Sequence, residues 1–131
     1  MKVLYKFLKD SGFSLYLIDK NGIVLTIIGD KDVIEDEKKM GIVEGADMSE
    51  RSTGTNAIGV ALYEDCAVQI SGEEHFITTY YTWTCSADII HDVKGNVIGC
   101  LNLTGRRQLE HPHTLGLVAA SVRYVENQLK V

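Results

Sequence analysis

The distribution of apolar residues divides the chain into stretches with a two-residue period and stretches with a helical period. Residues 13–29 contain two β-rich runs on either side of an Asn-Gly pair in residues 19–22, and such a pair favours a tight turn. Residues 83–105 contain two more runs, separated by a turn at residues 93–96. This pattern predicts two antiparallel hairpins in one sheet.

Helical periodicity and helix-terminal residues predict the remaining elements. Pro112 suits the first turn of a helix because its missing N–H would have no partner there, and Gly41 is typical of a helix end. The predicted helices are an N-terminal one with Leu4, Phe7 and Leu8 on one face, one from Asp30 or Asp32 to about Met40, residues 56–64, and residues 112–131. Residues 42–53 are predicted to be irregular, residues 65–70 a strand and residues 72–77 a helical turn.

The composition predicts one soluble domain over residues 1–131. The net charge is −5, from 18 acidic and 13 basic residues, and the basic residues are not clustered, which argues against direct contact with nucleic acid. The apolar runs are too short to span a membrane, and no secretory signal opens the chain. Three widely spaced cysteines favour reduced thiols in the cytoplasm over a disulfide framework.

The segment "GTNAIG" places two glycines five residues apart where a helix begins. A phosphate-binding loop would need a Lys and a Ser or Thr after the second glycine, but Val60 and Ala61 follow Gly59. The dinucleotide-binding pattern is absent as well. We therefore expect Gly54 to shape the backbone at the helix start and Gly59 to allow close packing on the sheet, with Asn56 as a helix cap or a ligand contact.

A set of motifs carries a resemblance to a known family. The strings "SERSTGTNAIGVAL", "GEEHF", "WTCSADIIHD", "GCLNLTG" and "HPHTLGLVAASVRYVENQL" occur in this order. Over residues 19–131 they resemble the GAF-type sensory domain that opens sigma-54-dependent transcription activators, in particular the acetoin catabolism regulators. The sequence departs from that family at Met48, where a Trp is usual, and at Asp88, which follows "WTCSA" in place of an Ala.

The resemblance implies an α+β, GAF/PAS-like fold with an antiparallel sheet of five to six strands. It implies N- and C-terminal helices on one face and a pocket for a small-molecule effector on the other, closed by the middle helices. In the family this domain controls a downstream AAA+ ATPase domain, which this chain lacks, so we expect an excised fragment of a longer regulator. It also implies a regulatory domain rather than an enzyme, with no cofactor.

Strand alternation yields a candidate pocket wall. Thr84, Ser86 and Asp88 share a face of one strand, and we expect Asn102 and Thr104 to join them from the partner strand. Such a polar face is either exposed to solvent or the wall of an internal cavity. The candidate ligand-binding residues are Asn56, His75, Phe76, Tyr80, Tyr81, Trp83, Cys85, Ser86 and Asp88, with packing and helix capping as the competing roles for the aromatic residues, His75 and Asn56.

Three other interpretations of the cysteines and histidines were weighed. A thiol enzyme that reduces free methionine sulfoxide would use Cys85 or Cys100 beside His75 or His91. A cyclic-nucleotide site is disfavoured because its family signature is absent. His111-Pro112-His113 suits a turn better than a metal site, and we predict no metal.

The C-terminal helix carries a seam of apolar residues at steps of three and four, formed by Leu115, Val118, Val122, Val125 and Leu129. The seam suits packing on the domain's own sheet, and a continuation of it suits a homodimer through the terminal helices. A dimerisation module without a ligand therefore remains an alternative. On the sensory interpretation, a small effector orders the segment from Asn56 to Phe76 and shifts this helix.

Overall fold

The computed structural model describes residues 6, 8 and 10–129, leaving aside the side chains of Thr78 and Thr79. Its strands are β1 (Phe13–Asp19), β2 (Val24–Gly29), β3 (Val68–Ser71), β4 (Trp83–His91) and β5 (Val97–Arg106). Its helices are α1 (Lys31–Lys39), α2 (Glu50–Thr53), α3 (Ala57–Glu64) and α4 (Pro112–Leu129), with 3-10 turns at Gly72–Glu74, Thr78–Thr82 and Arg107–Leu109. No helix in this described part is long and apolar enough to cross a membrane.

The strands form one antiparallel sheet in the order β2-β1-β5-β4-β3, and both predicted hairpins are confirmed. In the first turn, Asp19 Oδ1 accepts hydrogen bonds from the backbone N–H of Asn21 at 2.9 Å and of Ile23 at 3.0 Å. Gly22 has a φ of +92°, which costs a glycine no steric strain. Asp92 Oδ1 organises the second turn in the same way. Short polar side chains therefore fix both hairpins.

The helices α1, α3 and α4 lie close to their predicted positions, whereas α2 and the 3-10 turns at Thr78–Thr82 and Arg107–Leu109 were not predicted. Gly41, with a φ of +82°, follows α1 as expected. Residues 42–53 were predicted to be irregular throughout, which is wrong for α2. The carboxylate of Asp47 accepts from the Ser49 N–H at 2.9 Å and from the Ser52 hydroxyl at 2.7 Å, and these bonds hold the single turn. One helical turn is too short to show a helical period in the sequence.

The sheet separates two apolar cores. On one face, Leu101 and Leu103 of β5 pack with Val118 and Val122 of α4. Leu8 is buried in this core, whereas Leu4 and Phe7, also predicted to pack there, lie outside the described residues. On the other face, the core includes Tyr16, Ile18, Val33, Ala57, Ile58, Ala61, Ala87, Ile89 and Cys100. The predicted α+β architecture is thus confirmed, with α4 on one face and the middle helices on the other.

The register of β4 and β5 corrects the predicted polar face. An odd-numbered residue of β4 lies opposite an even-numbered residue of β5, as Cys85 does with Thr104. Directly opposed residues in antiparallel strands point to the same side of the sheet. The predicted face is therefore wrong. It combined Thr84, Ser86 and Asp88, which lie on the face of α4, with Asn102 and Thr104, which lie on the opposite face.

Candidate functional site

A small buried cavity lies between the sheet and the segment around α3. Its volume is about 20 Å³, which is room for roughly one water molecule. The cavity is enclosed by β1, β4, β5, the start of α3 and the loops before α3 and after β3. The lining residues are Tyr16, Ile42, Met48, Asn56, Ala57, Ile58, His75, Tyr80, Cys85, Asn102 and Thr104.

Asn56 positions the helix that covers the cavity. Its Oδ1 accepts from the backbone N–H of Gly59 at 3.0 Å, which caps the first turn of α3. Its Nδ2 donates to the carbonyl oxygens of Met48 at 2.9 Å and Gly54 at 3.0 Å, and to the hydroxyl of Thr53 at 2.7 Å. The side chain of Asn56 therefore borders the cavity but is already fully hydrogen-bonded.

The two glycines of "GTNAIG" bring backbone segments close together. Gly54 has a φ of +72°, and a Cβ built on it would lie 2.6 Å from Cβ of Phe76. A Cβ built on Gly59 would lie 2.6 Å from the backbone nitrogen of Glu50. Gly59 thus permits close packing, but against α2 rather than against the sheet as predicted.

His75 enters the cavity wall as a neutral hydrogen-bond acceptor. Its Nδ1 lies 3.0 Å from the carbonyl oxygen of Gly72, which can only accept, so the proton of the neutral ring is on Nδ1. Burial lowers the pKa of His75, against the smaller opposing effects of the Gly72 bond and the charge of Glu74. The ring meets Tyr80 edge-on, with 5.8 Å between the ring centroids. Nε2 has no hydrogen-bond donor among the described residues.

A chain of hydrogen bonds runs along the sheet side of the cavity. Asn102 Nδ2 donates to Thr104 Oγ1 at 2.7 Å, and Thr104 Oγ1 donates to Cys85 Sγ at 3.5 Å. Burial raises the pKa of the Cys85 thiol to about 12, and the nearby Glu37 acts in the same direction. Cys85 therefore stays a protonated thiol, which is a poor nucleophile.

Three side-chain atoms on the cavity wall have no hydrogen-bond partner among the described residues. They are Tyr16 OH, His75 Nε2 and Asn102 Oδ1. The three residues are at most 2% exposed. A buried polar atom without a partner typically costs 1–3 kcal/mol. The three atoms belong to residues around one cavity, so a polar guest that reached them after the cavity opened would stabilise the fold.

A fourth buried polar group lies beside this site. Glu37 of α1 is fully buried, and its Oε2 accepts from the hydroxyl of Ser14 at 3.0 Å, whereas its Oε1 has no partner among the described residues. Burial raises the pKa of Glu37 to about 8, and the Ser14 bond and the charge of Arg106 offset only part of that effect. Glu37 is therefore mostly a neutral acid at pH 7.

The structure brings four of the nine predicted ligand-binding residues to the cavity: Asn56, His75, Tyr80 and Cys85. Phe76 is 73% exposed, and Tyr81 is half-buried away from the lining. Trp83 belongs to the core, where its Nε1 donates to Met40 Sδ at 2.9 Å.

Ser86 and Asp88, the last two predicted residues, lie on the far face of the sheet. Ser86 accepts there from Gln69 Nε2 at 2.9 Å, and Asp88 Oδ1 accepts from the N–H of Ile89 at 2.8 Å. Their expected position in the pocket is therefore wrong.

Five lining residues were missed by the sequence reasoning: Tyr16, Ile42, Met48, Ala57 and Ile58. Tyr16 is the central inward residue of β1, and the alternation of Ser14, Tyr16 and Ile18 is the signal that would have found it. Met48, noted only as a departure from the family, lines the cavity. At the predicted turn before α4, His113 donates its backbone N–H to His111 Nδ1 at 3.1 Å. In the described part of the chain, no three His, Cys, Asp or Glu residues converge as metal ligands would.

Several of the known proteins that this chain resembles are transcriptional regulators. The chain is 66% identical over 131 residues to the "Signal-transduction and transcriptional-control protein" of Clostridium beijerinckii, and it covers 21% of that protein. It is 35% identical over 122 residues, 93% of this chain, to the acetoin dehydrogenase operon transcriptional activator of Bacillus subtilis, of which it covers 20%. The chain therefore spans about a fifth of the length of these relatives.

A solved structure shares the fold. The crystal structure of the E. coli DhaR(N)–DhaL complex aligns with a TM-score of 0.93 and 23% identity, over 98% of this chain and 44% of that chain. The family described as "MimR, N-terminal domain" matches residues 1–127. These matches confirm the resemblance to acetoin-type regulators, and the chain belongs to the family of MimR N-terminal domains.

Proposed function

We propose that this chain is the effector-sensing domain of a bacterial transcription activator, and that its effector binds in the cavity beneath α3. The observation that carries the proposal is that three residues lining one cavity, Tyr16, His75 and Asn102, each hold a buried polar atom without a hydrogen-bond partner among the described residues. A domain selected only for stability gains nothing from buried polar atoms without partners. The regulator relatives supply the biological setting.

The cavity has to enlarge before a metabolite fits. About 20 Å³ holds roughly one water molecule, so the conformation described is a closed one. The side that opens is the lid, defined here as α3 with residues 72–82. The lid consists of one short helix and two 3-10 turns, and Phe76 in its middle is 73% exposed. Opening the lid exposes part of the buried side of α3, which includes Ala57, Ile58 and Ala61, so the binding free energy of the effector has to offset that cost.

The unpartnered atoms define the chemical class of the effector. His75 Nε2 and Asn102 Oδ1 both accept hydrogen bonds, and Tyr16 OH either donates or accepts. A neutral molecule with two hydroxyl donors matches this pattern. A carboxylate does not, because it offers only acceptors. Acetoin, which appears in the name of the Bacillus subtilis relative, has one hydroxyl donor and one carbonyl acceptor, so it could pair with one of the two acceptors and with Tyr16 OH.

The output of the domain passes through α4. Its buried stripe, represented by Val118 and Val122, packs on the sheet, while Leu117 and Tyr124 on its other side are 54% and 47% exposed. We assign the exposed stripe to a homodimer and to coupling with a downstream ATPase domain of the full-length regulator in the cytoplasm. Sedimentation of the wild type and of Leu117→Glu tests the dimer, which the charge should dissociate.

A thermal-shift assay tests the effector site. The panel is acetoin, 2,3-butanediol, glycerol and dihydroxyacetone, with acetate and ethylamine as compounds of other classes. A ligand at one hundred times its Kd adds about 2.7 kcal/mol to the free energy of unfolding. Asn102→Leu removes one acceptor and should abolish the shift. Asp88→Asn, on the far face of the sheet, is the matched control and should retain it.

Two outcomes oppose the proposal. If no hydroxyl compound shifts the wild type, the domain is left as a dimerisation module without a ligand. If a compound shifts Asn102→Leu as much as the wild type, it binds outside this cavity.

A further inference from the structure

His91, at the end of β4, bridges two carboxylates from opposite layers of the domain. Its Nε2 lies 2.7 Å from Oδ1 of Asp65, and its Nδ1 lies 3.4 Å from Oε2 of Glu126. The backbone N–H of His91 donates to the same Glu126 oxygen at 2.7 Å. We call this group, Asp65, His91 and Glu126, the imidazole bridge.

The bridge joins the lid to the output helix. Asp65 is the C-terminal cap of α3, in the left-handed conformation with a φ of +53°, and the first residues of that helix line the cavity. Glu126 lies near the end of α4. The register of β4 shifts between Ile90 and His91, and such an irregularity redirects a side chain. His91 thereby contacts helices on both faces of the sheet.

The geometry of the bridge is complete only when His91 is protonated. A carboxylate accepts hydrogen bonds and cannot donate one, and a neutral imidazole has a single N–H. An imidazolium hydrogen-bonds to Asp65 through Nε2 and forms an ion pair with Glu126 through Nδ1 at 3.4 Å, whereas the neutral ring turns a lone pair toward one of the two carboxylates. The adjacent Asp92 uses its carboxylate within the β4–β5 turn, so Asp65 and Glu126 are the charged groups that act on His91.

We propose that protonation of His91 couples the lid to α4, so that the position of the output helix depends on pH near neutrality. The signalling role of this coupling rests on the proposed function, whereas the coupling itself does not require an effector. Burial works to lower the pKa of His91, but the hydrogen bonds and charges of Asp65 and Glu126 outweigh it, and the pKa is raised overall. His91 therefore keeps its proton to a higher pH than an unperturbed histidine does.

Two measurements on the 131-residue chain test the bridge. NMR titration of the histidine side chains should show the pKa of His91 falling in Asp65→Asn and in Glu126→Gln, each by roughly 0.2 to 0.7 of a pH unit. Hydrogen exchange of backbone amides at pH 6.0 and 7.5, corrected for intrinsic rates, should show protection of α3 and of residues 120–129 decreasing together by about two- to fivefold as the pH rises.

The variants separate the bridge from other titrating groups. His91→Gln keeps every other titratable side chain, so loss of the pH response in this variant isolates His91. Asp65→Asn should reduce the pH-dependent change in hydrogen-exchange protection in α4 as well as in α3, because this variant loses the ion pair between Asp65 and His91. His113→Gln, an exposed histidine at the start of α4, should behave as the wild type.

An unchanged pH response in His91→Gln would overturn the proposal, and so would an effect of Asp65→Asn confined to α3. Both measurements are made without an effector. A failed bridge therefore leaves the cavity proposal standing, and a thermal-shift screen without hits leaves the bridge standing.

Discussion

His75 Nδ1 lies 3.0 Å from the carbonyl oxygen of Gly72, and this contact orients Nε2 of the ring as an acceptor at the cavity. Because burial lowers the pKa of His75, the unfolded chain, with a histidine pKa near 6.5, takes up a proton before the folded protein does. The stabilisation from a neutral His75 is therefore fully present above pH 6.5 and is lost as the pH falls toward the folded-state pKa. Effector affinity should fall over the same range, since a protonated Nε2 no longer accepts.

Urea unfolding of the wild type and of His75→Gln between pH 5 and 7.5 checks this prediction. The stability of the variant relative to the wild type should increase as the pH falls below 6.5. His113→Gln should follow the wild type, because its ring is exposed. If the free energy of unfolding of the wild type and of His75→Gln depended on pH in the same way, His75 would not be held neutral by burial.

Glu37 should give the opposite pH dependence. Its pKa is raised by burial from 4.5 to about 8, so between these values the folded state holds a proton that the unfolded chain has lost. Its contribution is fully present below pH 4.5 and is lost as the pH rises toward 8, at about 1.4 kcal/mol for each pH unit. Glu37→Gln, which is neutral at all pH values, should escape this loss and be more stable than the wild type at pH 8.5 by a few kcal/mol.

Chemical unfolding from pH 4.5 to 9 measures the Glu37 effect. Glu44→Gln is the matched control, because Glu44 is exposed and the substitution makes the same charge change. If the free energy of unfolding changed with pH above pH 6 in the same way for the wild type and for Glu37→Gln, the Glu37 carboxyl would be ionised in the folded state. A rearrangement would then expose it to solvent.

The three cysteines should react very differently. Burial raises the pKa of Cys85 to about 12 and raises that of Cys100 as well, whereas Cys66 is exposed. Iodoacetamide at pH 7.5 should therefore modify one thiol per native chain, located at Cys66 by mass spectrometry, and three thiols after unfolding. Cys66→Ser should leave the native protein unlabelled. Labelling of Cys85 as fast as Cys66 would revive the thiol-enzyme alternative.

The sequence was sufficient for the hairpins and for most helices, because their signals are local. Asn21-Gly22 and Gly95-Asn96 favour turns by their own backbone preferences, and Pro112 favours the first turn of a helix. The single turn of α2 depends instead on Asp47, a side chain outside the turn. Local sequence patterns therefore predict elements whose own residues determine their conformation, and miss elements that depend on a side chain elsewhere.

The cavity wall was harder to predict because it depends on the pairing register of β4 and β5, which decides which residues of the two strands share a face. Alternation within β4 and within β5 was read correctly, but the register that pairs Cys85 with Thr104 is set by the turn and by the irregularity at Ile90/His91. A shift of one residue exchanges the faces, which is why Asn102 was grouped with Asp88. The unpartnered state of Asn102 Oδ1 emerges only from the three-dimensional packing.

Two glycines inside helices should respond in opposite ways to substitution by alanine. Alanine is favoured over glycine in a helix by about 1 kcal/mol. At Gly116 of α4 a Cβ would meet nothing within 4 Å, so Gly116→Ala should stabilise the protein by roughly 0.5–1 kcal/mol. At Gly59 a Cβ would lie 2.6 Å from the Glu50 backbone nitrogen, so Gly59→Ala should force α2 and α3 apart and destabilise by about 1–3 kcal/mol. Chemical denaturation of both variants measures the difference, and a stabilised Gly59→Ala would mean that α2 does not pack on α3 in solution.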